Sequence, residues 1–356
     1  MRRQTNNRPL ACLAVLVFLS ISCATLTGGK DDTAQPGAEA SPTATAGAAD
    51  SGPAATATPD ASSGPSGGGE SPAGSTPEPV ADGGPYLGDY QTADGYFFAA
   101  LEVADPAEPS ILYEEEEGMR LVGVRLIIGN RDGGRFYFSI SDVAVEDTQG
   151  DVWEAEYGML DVEISSNYID PGERVRGWLG FIIPADRGAE TLVYLYDWLD
   201  EKSVYLPLSA PPAGHDPLRA DTARSPRTDS DLGRAAEGSG FSLTAFGVDE
   251  SPDLSFPDIF EPPAGWHLVS VEVEIGNNGD ESWIFTAFDL SLVDSEGFLY
   301  AVDYFYAAGM IESGEIAPGD SVRGWAPFIV PDGTVLESVK LYTEMMDEPL
   351  YAGLSE

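Results

Sequence analysis

Cysteine is almost absent from this chain: there are two in 356 residues, Cys12 and Cys23. Cys12 lies in an apolar run, Leu10 to Ile21, that follows Arg2, Arg3 and Arg8. A charged segment followed by a run shorter than the ~20 apolar residues of a permanent membrane helix reads as a cleaved export leader, residues 1–22. Without the leader no cysteine pair is left, which excludes internal disulfides and cysteine-based metal sites. Stability must then come from apolar cores, and the chain has two regions, each of more than 100 residues, large enough to build them.

Histidine is as scarce. His215 falls in a linker and His267 at a strand start, and neither has the setting of a general base or of a histidine metal site. No phosphate-cradling glycine motif of the Walker or dinucleotide type occurs, so neither a cofactor nor a catalytic residue is expected. Lysine is limited to Lys30, Lys202 and Lys340, against 60 acidic residues. The formal charge is −42, and about −45 once the three leader arginines are gone. Such a surface repels nucleic acid and anionic lipid. Low lysine with abundant acid reads first as solvation in a salt-adapted or acidic proteome, and only second as cation binding.

Leu19-Ser20-Ile21-Ser22-Cys23 resembles the lipobox of bacterial lipoproteins, in which a small residue precedes the cysteine that is acylated. Ser20 departs from the usual branched apolar residue, and Ser20 with Ser22 would also suit an ordinary signal peptidase. Lipidation of Cys23 is favoured because residues 23–84, made almost entirely of Ala, Gly, Ser, Thr, Pro and Asp, begin a tether at once. Such a segment can bury no core and is expected to be disordered, with a span of ~45 Å. It would hold the rest of the protein off a membrane.

Self-similarity organises the remainder. Gly118 to Pro184 aligns without a gap to Gly265 to Pro331, with about a third of positions identical. The densest block sets Pro171-Gly172-Glu173-Arg174-Val175-Arg176-Gly177-Trp178 against Pro318-Gly319-Asp320-Ser321-Val322-Arg323-Gly324-Trp325. Two domains are therefore expected, 85–210 and 235–356, joined by a flexible linker at 211–234. Within each copy the periodicity is two: Val271, Val273 and Ile275 alternate with Glu272 and Glu274, as in a strand with one solvated face. Pro318-Gly319 predicts a type II turn, and Val322 to Val330 alternate up to Pro331. Seven or so short strands in about 120 residues indicate an all-β fold, two tandem antiparallel β-sandwiches of immunoglobulin type.

The ordered set Val-x-Val-x-Ile-x-Asn (271–277), Phe-Asp-Leu-x-Leu-x-Asp-x-x-Gly (288–297) and Pro-Gly-x-x-Val-x-Gly-x-x-x-Phe-x-x-Pro (318–331) resembles the telokin-like, Ig-like domain of unknown function found in bacterial lipoproteins. The first copy matches less fully, with Ser141-Asp142-Val143 in place of Phe288-Asp289-Leu290. The resemblance implies an extracytoplasmic binding or structural role, and it assigns no ligand and no functional residue.

Two candidate sites are legible. Glu114, Glu115, Glu116 and Glu117 in the first copy, and Asp249, Glu250, Asp253 and Asp258 in the second, cluster hard oxygen donors on corresponding loops, where Ca²⁺ could bind. No EF-hand or calcium repeat supports them, and a solvated loop is the favoured reading. Arg176 with Trp178, and Arg323 with Trp325, share a strand face opposite Phe181 and Phe328. They are either an exposed patch for a glycan or peptide, or, through a bulge at Gly177 or Gly324, core residues; the core reading is favoured. Trp198 and Phe305, which the repeat does not share, are the better guesses for copy-specific surfaces. The expected function is non-enzymatic: an exported, lipid-anchored surface protein presenting its domains to an envelope polymer or a protein partner. An envelope-associated hydrolase, whose general acid and base would be convergent acidic residues and which a buried carboxylate pair in one cleft would favour, and a subunit of an envelope complex are the alternatives.

Overall fold

In a computed structural model of the chain, the described residues are 85–110, 113, 116–197, 202–218, 227–252, 262–303 and 309–355. The leader, the whole tether with Cys23, Glu114, Glu115, Trp198, Asp253, Asp258 and Phe305 lie outside them. The first half contains β1 (Gln91–Ala93), β2 (Tyr96–Ala104), β3 (Met119–Asn130), β4 (Phe136–Phe138), β5 (Val143–Asp147), β6 (Val152–Glu154), β7 (Asn167–Ile169), β8 (Arg174–Pro184), β9 (Ala189–Asp197) and β10 (Lys202–Pro207). The antiparallel sheet β1-β2-β3-β8 faces the sheet β10-β9-β5-β6, and β4-β7 forms a separate ribbon. Phe98, Val124, Leu126 and Phe181 from one sheet meet Val143, Val145, Leu192 and Tyr194 from the other in a buried core.

The second half contains β11 (Ala235–Gly238), β12 (Phe241–Asp249), β13 (Trp266–Asn277), β14 (Trp283–Phe285), β15 (Leu290–Asp294), β16 (Leu299–Ala301), β17 (Gly314–Ile316), β18 (Ser321–Pro331), β19 (Leu336–Leu341) and β20 (Leu350–Gly353). Sheet β11-β12-β13-β18 faces β16-β15-β19-β20, and β14-β17 is again a ribbon. From Met119 to Trp266, and from Phe136 to Trp283, the displacement is 147 residues in both cases, and it holds for every start from β3 to β9 against β13 to β19. The fold is therefore two antiparallel β-sandwiches; the only helical turns among the described residues are the 3₁₀ turns Ile140–Asp142 and Ala287–Asp289.

The residues that recur do the same structural work twice. Asn130 Nδ2 donates to Gly134 O and Ile169 O, and Asn277 Nδ2 donates to Glu281 O and Ile316 O, so each buried amide ties a ribbon to the main sheet. Asp147 and Asp294 fold the turns after β5 and β15 by accepting two backbone N–H groups each. Gly172 and Gly319 stand at φ 89° and 83°, the left-handed backbone that the Pro-Gly turn demands of its second residue.

Gly177 and Gly324 hold no bulge, since the pairing of β8 with β3 and of β18 with β13 runs without a register shift. They are glycine because a strap crosses the sheet there. A Cβ on Gly177 would stand 2.6 Å from Ile164 N, and one on Gly324 would stand 2.6 Å from Ile311 Cα. Parallel bridges Glu163 to Trp178 and Met310 to Trp325 pin the straps, and both tryptophans are half-buried on the outer face of their sheets.

The two sandwiches are packed together, against the expectation of a flexible linker. Residues 80–356 form one compact unit. Phe97, Ala99 and Ile127, which the pleat turns outward from the first sheet, join the core of the second sandwich. Val293, Leu299 and Tyr351 in turn join the core of the first. The physical reason lies in β2 and β15, which are buried at successive positions from Phe97 to Ala100 and throughout Leu290–Asp294. A sheet apolar on both faces must be covered on both. The linker is tied down at each end: His215 Nε2 lies 2.8 Å from Asp89 Oδ1, and Tyr351 N donates to Asp229 Oδ2 at 3.0 Å.

Candidate ligand cleft and a buried lysine

Where the sandwiches meet, a cleft of about 790 Å³ opens to solvent. One wall is the β4-β7 ribbon with Tyr137, Asn167 and Tyr168; the other is β14, the turn Ala287–Asp289 and residues 342–345. Tyr137, Tyr168 and Tyr342 form a row with ring centroids 4.8 and 4.7 Å apart. Tyr168 donates to Glu344 Oε1 at 2.7 Å, which fixes the central ring and leaves an anionic edge, and burial together with that bond raises the phenol's pKa. Asn167 Nδ2 donates to Ser291 Oγ at 2.9 Å across the seam. Tyr137 (51% exposed), Ile284 (73%), Phe288 (69%) and Met345 (57%) all border this cleft. They are four of the nine large hydrophobic residues that are exposed among the described residues, so the apolar surface is concentrated at one place. Burial also raises the Asp289 carboxyl, partly offset by hydrogen bonds from Thr286.

Beneath the cleft lies Lys340, only 1% exposed. Its Nζ is 2.7 Å from Asp170 Oδ2 and 2.6 Å from Glu173 Oε2, and it donates to Tyr168 O at 2.9 Å. Tyr351 OH donates to Glu173 Oε1 at 2.7 Å, and Arg135 Nε donates to Asp170 Oδ1 at 2.6 Å. Asp170 and Glu173 come from the first sandwich, Lys340 and Tyr351 from the second. Asp170 and Glu173 are thus a buried carboxylate pair beneath the cleft, the feature expected to favour a hydrolase; both are engaged by Lys340, and Asp170 by Arg135 as well. A glycosidase needs its two carboxyls ~5–9.5 Å apart, with room for the sugar between them.

The other candidate residues do not converge on the cleft. Arg176 stacks on Phe298, its guanidinium carbon 3.9 Å from the ring centroid, and Nη2 lies 3.4 Å from Tyr300 OH, so it is used in the contact between sandwiches. Trp178 lies 5.9 Å from the Arg125 guanidinium carbon. Arg323 pairs with Glu272 at 3.0 Å and stacks on Phe246 at 3.7 Å, beside Trp325 in sequence but on partners of its own. Glu116, Glu117 and Asp249 are exposed, and Asp249 Oδ1 accepts from Ser251 N at 3.0 Å. Among the described residues no three His, Cys, Asp or Glu side chains are grouped as metal ligands.

Sequence reasoning missed the cleft and the lysine. The signal was a departure from the repeat: Asp170 stands opposite Ala317, and Lys340 opposite Val193, by the register that sets Val143 against Tyr194 and Leu290 against Leu341. A lysine flanked by Val339 and Leu341 in a lysine-poor chain marks the same place.

Residues 230–349, the second sandwich up to the start of its last strand β20, match a family described as a domain of unknown function, DUF4352. No curated protein matches the chain. Among solved structures, the yjhA protein from Bacillus subtilis is 12% identical with a TM-score of 0.29, covering 35% of this chain and 99% of its own. The secreted protein MPT63 from Mycobacterium tuberculosis is 15% identical with a TM-score of 0.28, covering 36% and 99%. An uncharacterised β-sandwich protein from Clostridium difficile is 8% identical with a TM-score of 0.24, covering 37% and 99%. Among the described residues no helix is long and apolar enough to cross a membrane.

Proposed function

We propose that this is an exported protein, anchored by lipid at Cys23, that displays tandem Ig-like sandwiches and binds an envelope polymer in the cleft between them without transforming it. The observation that carries this reading is the gathering of Tyr137, Ile284 and Met345, all exposed, around Tyr168 and Tyr342, which meet edge to face. Flat rings offer faces for sugar C–H groups, while Asn167, Thr286 and Glu344 offer hydrogen bonds. The net charge of −42 selects a neutral or cationic ligand over an anionic one. Ile284 and Met345 favour a second reading, a protein partner within an envelope complex, since aliphatic side chains suit a peptide better than a sugar.

The test is co-sedimentation of the full chain with purified, protein-free envelope polysaccharide. The Tyr137→Ser, Ile284→Ser double variant is expected to bind about tenfold more weakly, a loss of ~1.4 kcal/mol. Equal binding by both proteins would overturn the assignment of the cleft. Binding only to protein-containing envelope, abolished by the same variant, would establish the second reading. Incorporation of labelled palmitate that is lost in Cys23→Ser tests the anchor.

A further inference from the structure

The buried lysine carries an inference independent of the cleft. Lys340 Nζ lies against the Asp170 carboxyl at 2.7 Å and against Glu173 at 2.6 Å, at a site where all three side chains are closed to solvent. We propose that Lys340 and Asp170 condense to an amide, a covalent isopeptide cross-link between the two sandwiches, with Glu173 as the proton carrier.

Each neighbour has a role in such a step. Proximity replaces chemical activation: an amine and a carboxyl held in contact react at effective molarities of about 10⁵–10⁸ M when well oriented. Passage of a proton from Nζ to Asp170 Oδ2 by way of Glu173 Oε2, which lies 2.6 Å from Nζ, yields a nucleophilic amine and a neutral acid. The amine adds to Asp170 Cγ. Negative charge then collects on Oδ1, where Arg135 Nε stands at 2.6 Å to hold it. A second proton leaves nitrogen through Glu173, the Cγ–Oδ2 bond breaks, and Oδ2 departs as water. One C–N bond is formed, one C–O bond is broken, and nothing is oxidised or reduced. Tyr351 OH, bonded to Glu173 Oε1 at 2.7 Å, and Asp170 N, bonded to Glu173 Oε2 at 2.9 Å, keep the carrier in place.

The product suits its setting. Condensation removes two charges from the interior, where an ion pair gains little over its desolvation cost. Exclusion of water protects the amide from hydrolysis. A chain with no disulfide in its mature form would gain the one covalent tie it lacks.

The experiment is mass spectrometry of the full chain and of its tryptic digest. Relative to Lys340→Arg, and after allowing for that substitution, the wild type should be lighter by one water, about 18 Da. The digest should contain residues 136–174 joined to 324–356, because Lys340 in an amide no longer directs cleavage. Glu173→Gln should have its full mass. The wild-type result stands whether or not the variants fold. A wild type of full mass that releases 341–356 as a separate peptide would overturn the proposal and leave the cluster as an ion pair. A cross-link that survives Glu173→Gln would overturn the role given to Glu173.

Discussion

At Asp89 a single carboxyl joins the linker to the first sandwich, and its chemistry makes that junction sensitive to acid. Burial pushes the group's pKa up, but hydrogen bonds from His215, Tyr86 N and Leu218 N outweigh it and hold the group below its ordinary value. Asp147 is arranged alike: burial raises it, while Arg187, Trp153 and two backbone N–H groups lower it further than burial lifts it. A carboxyl whose folded pKa is depressed binds protons more readily when unfolded. Its contribution is complete above the unfolded value and is lost as pH falls through the folded one. Stability of the wild type should therefore fall below about pH 4, and Asp89→Asn should flatten that limb. Urea unfolding between about pH 3 and pH 6 measures both slopes; equal slopes would contradict the role of Asp89. Asp142 and Asp289 oppose the trend, because burial raises them and their charged forms weigh on the fold at neutral pH.

The straps over β8 and β18 decide which elements can lie next to each other. At Gly177 and Gly324 the obstacle to a side chain is backbone, which cannot rotate away as a side-chain tip could. Gly177→Ala and Gly324→Ala should each cost about 1–3 kcal/mol, the usual range for an overpacked site, read as a lower urea midpoint. Gly118 and Gly265, whose added Cβ would meet nothing within 4 Å, are turn glycines at φ 80° and 85°, so their replacement reports backbone strain without overpacking. The Arg-Gly-Trp repetition was legible in sequence as a shared fold constraint. Its cause was not, because the strap arrives from residues 13 positions earlier, Ile164 before Gly177 and Ile311 before Gly324.

For the molecule as a whole, the joining of the two cores predicts joint unfolding. Phe97 belongs to β2 of the first sandwich, packs in the core of the second, and brings its ring against Gly129, where a Cβ would come within 2.1 Å of it. Calorimetry of the wild type should show one transition. Phe97→Asp, which puts a charge into the seam, should separate it into two. Two transitions already present in the wild type would mean that the contact contributes little to either half. The same seam supplies both the cleft and the Lys340 cluster, so Phe97→Asp should also weaken the polysaccharide binding proposed for the cleft.

Local pattern was enough for the strands, their turns and the duplication. A period of two and the φ demands of Pro-Gly and Asp-x-x-Gly act over a few residues and are written in consecutive positions. What covers the second face of a sheet is not written there. Leu290-Ser291-Leu292-Val293-Asp294 mixes polar and apolar residues on both of its faces, yet all five are buried. Only the packing of one sandwich on the other decides that, because it depends on how two distant surfaces match in shape and charge. Asp170 and Lys340 are 170 positions apart in sequence and 2.7 Å apart in space for that reason.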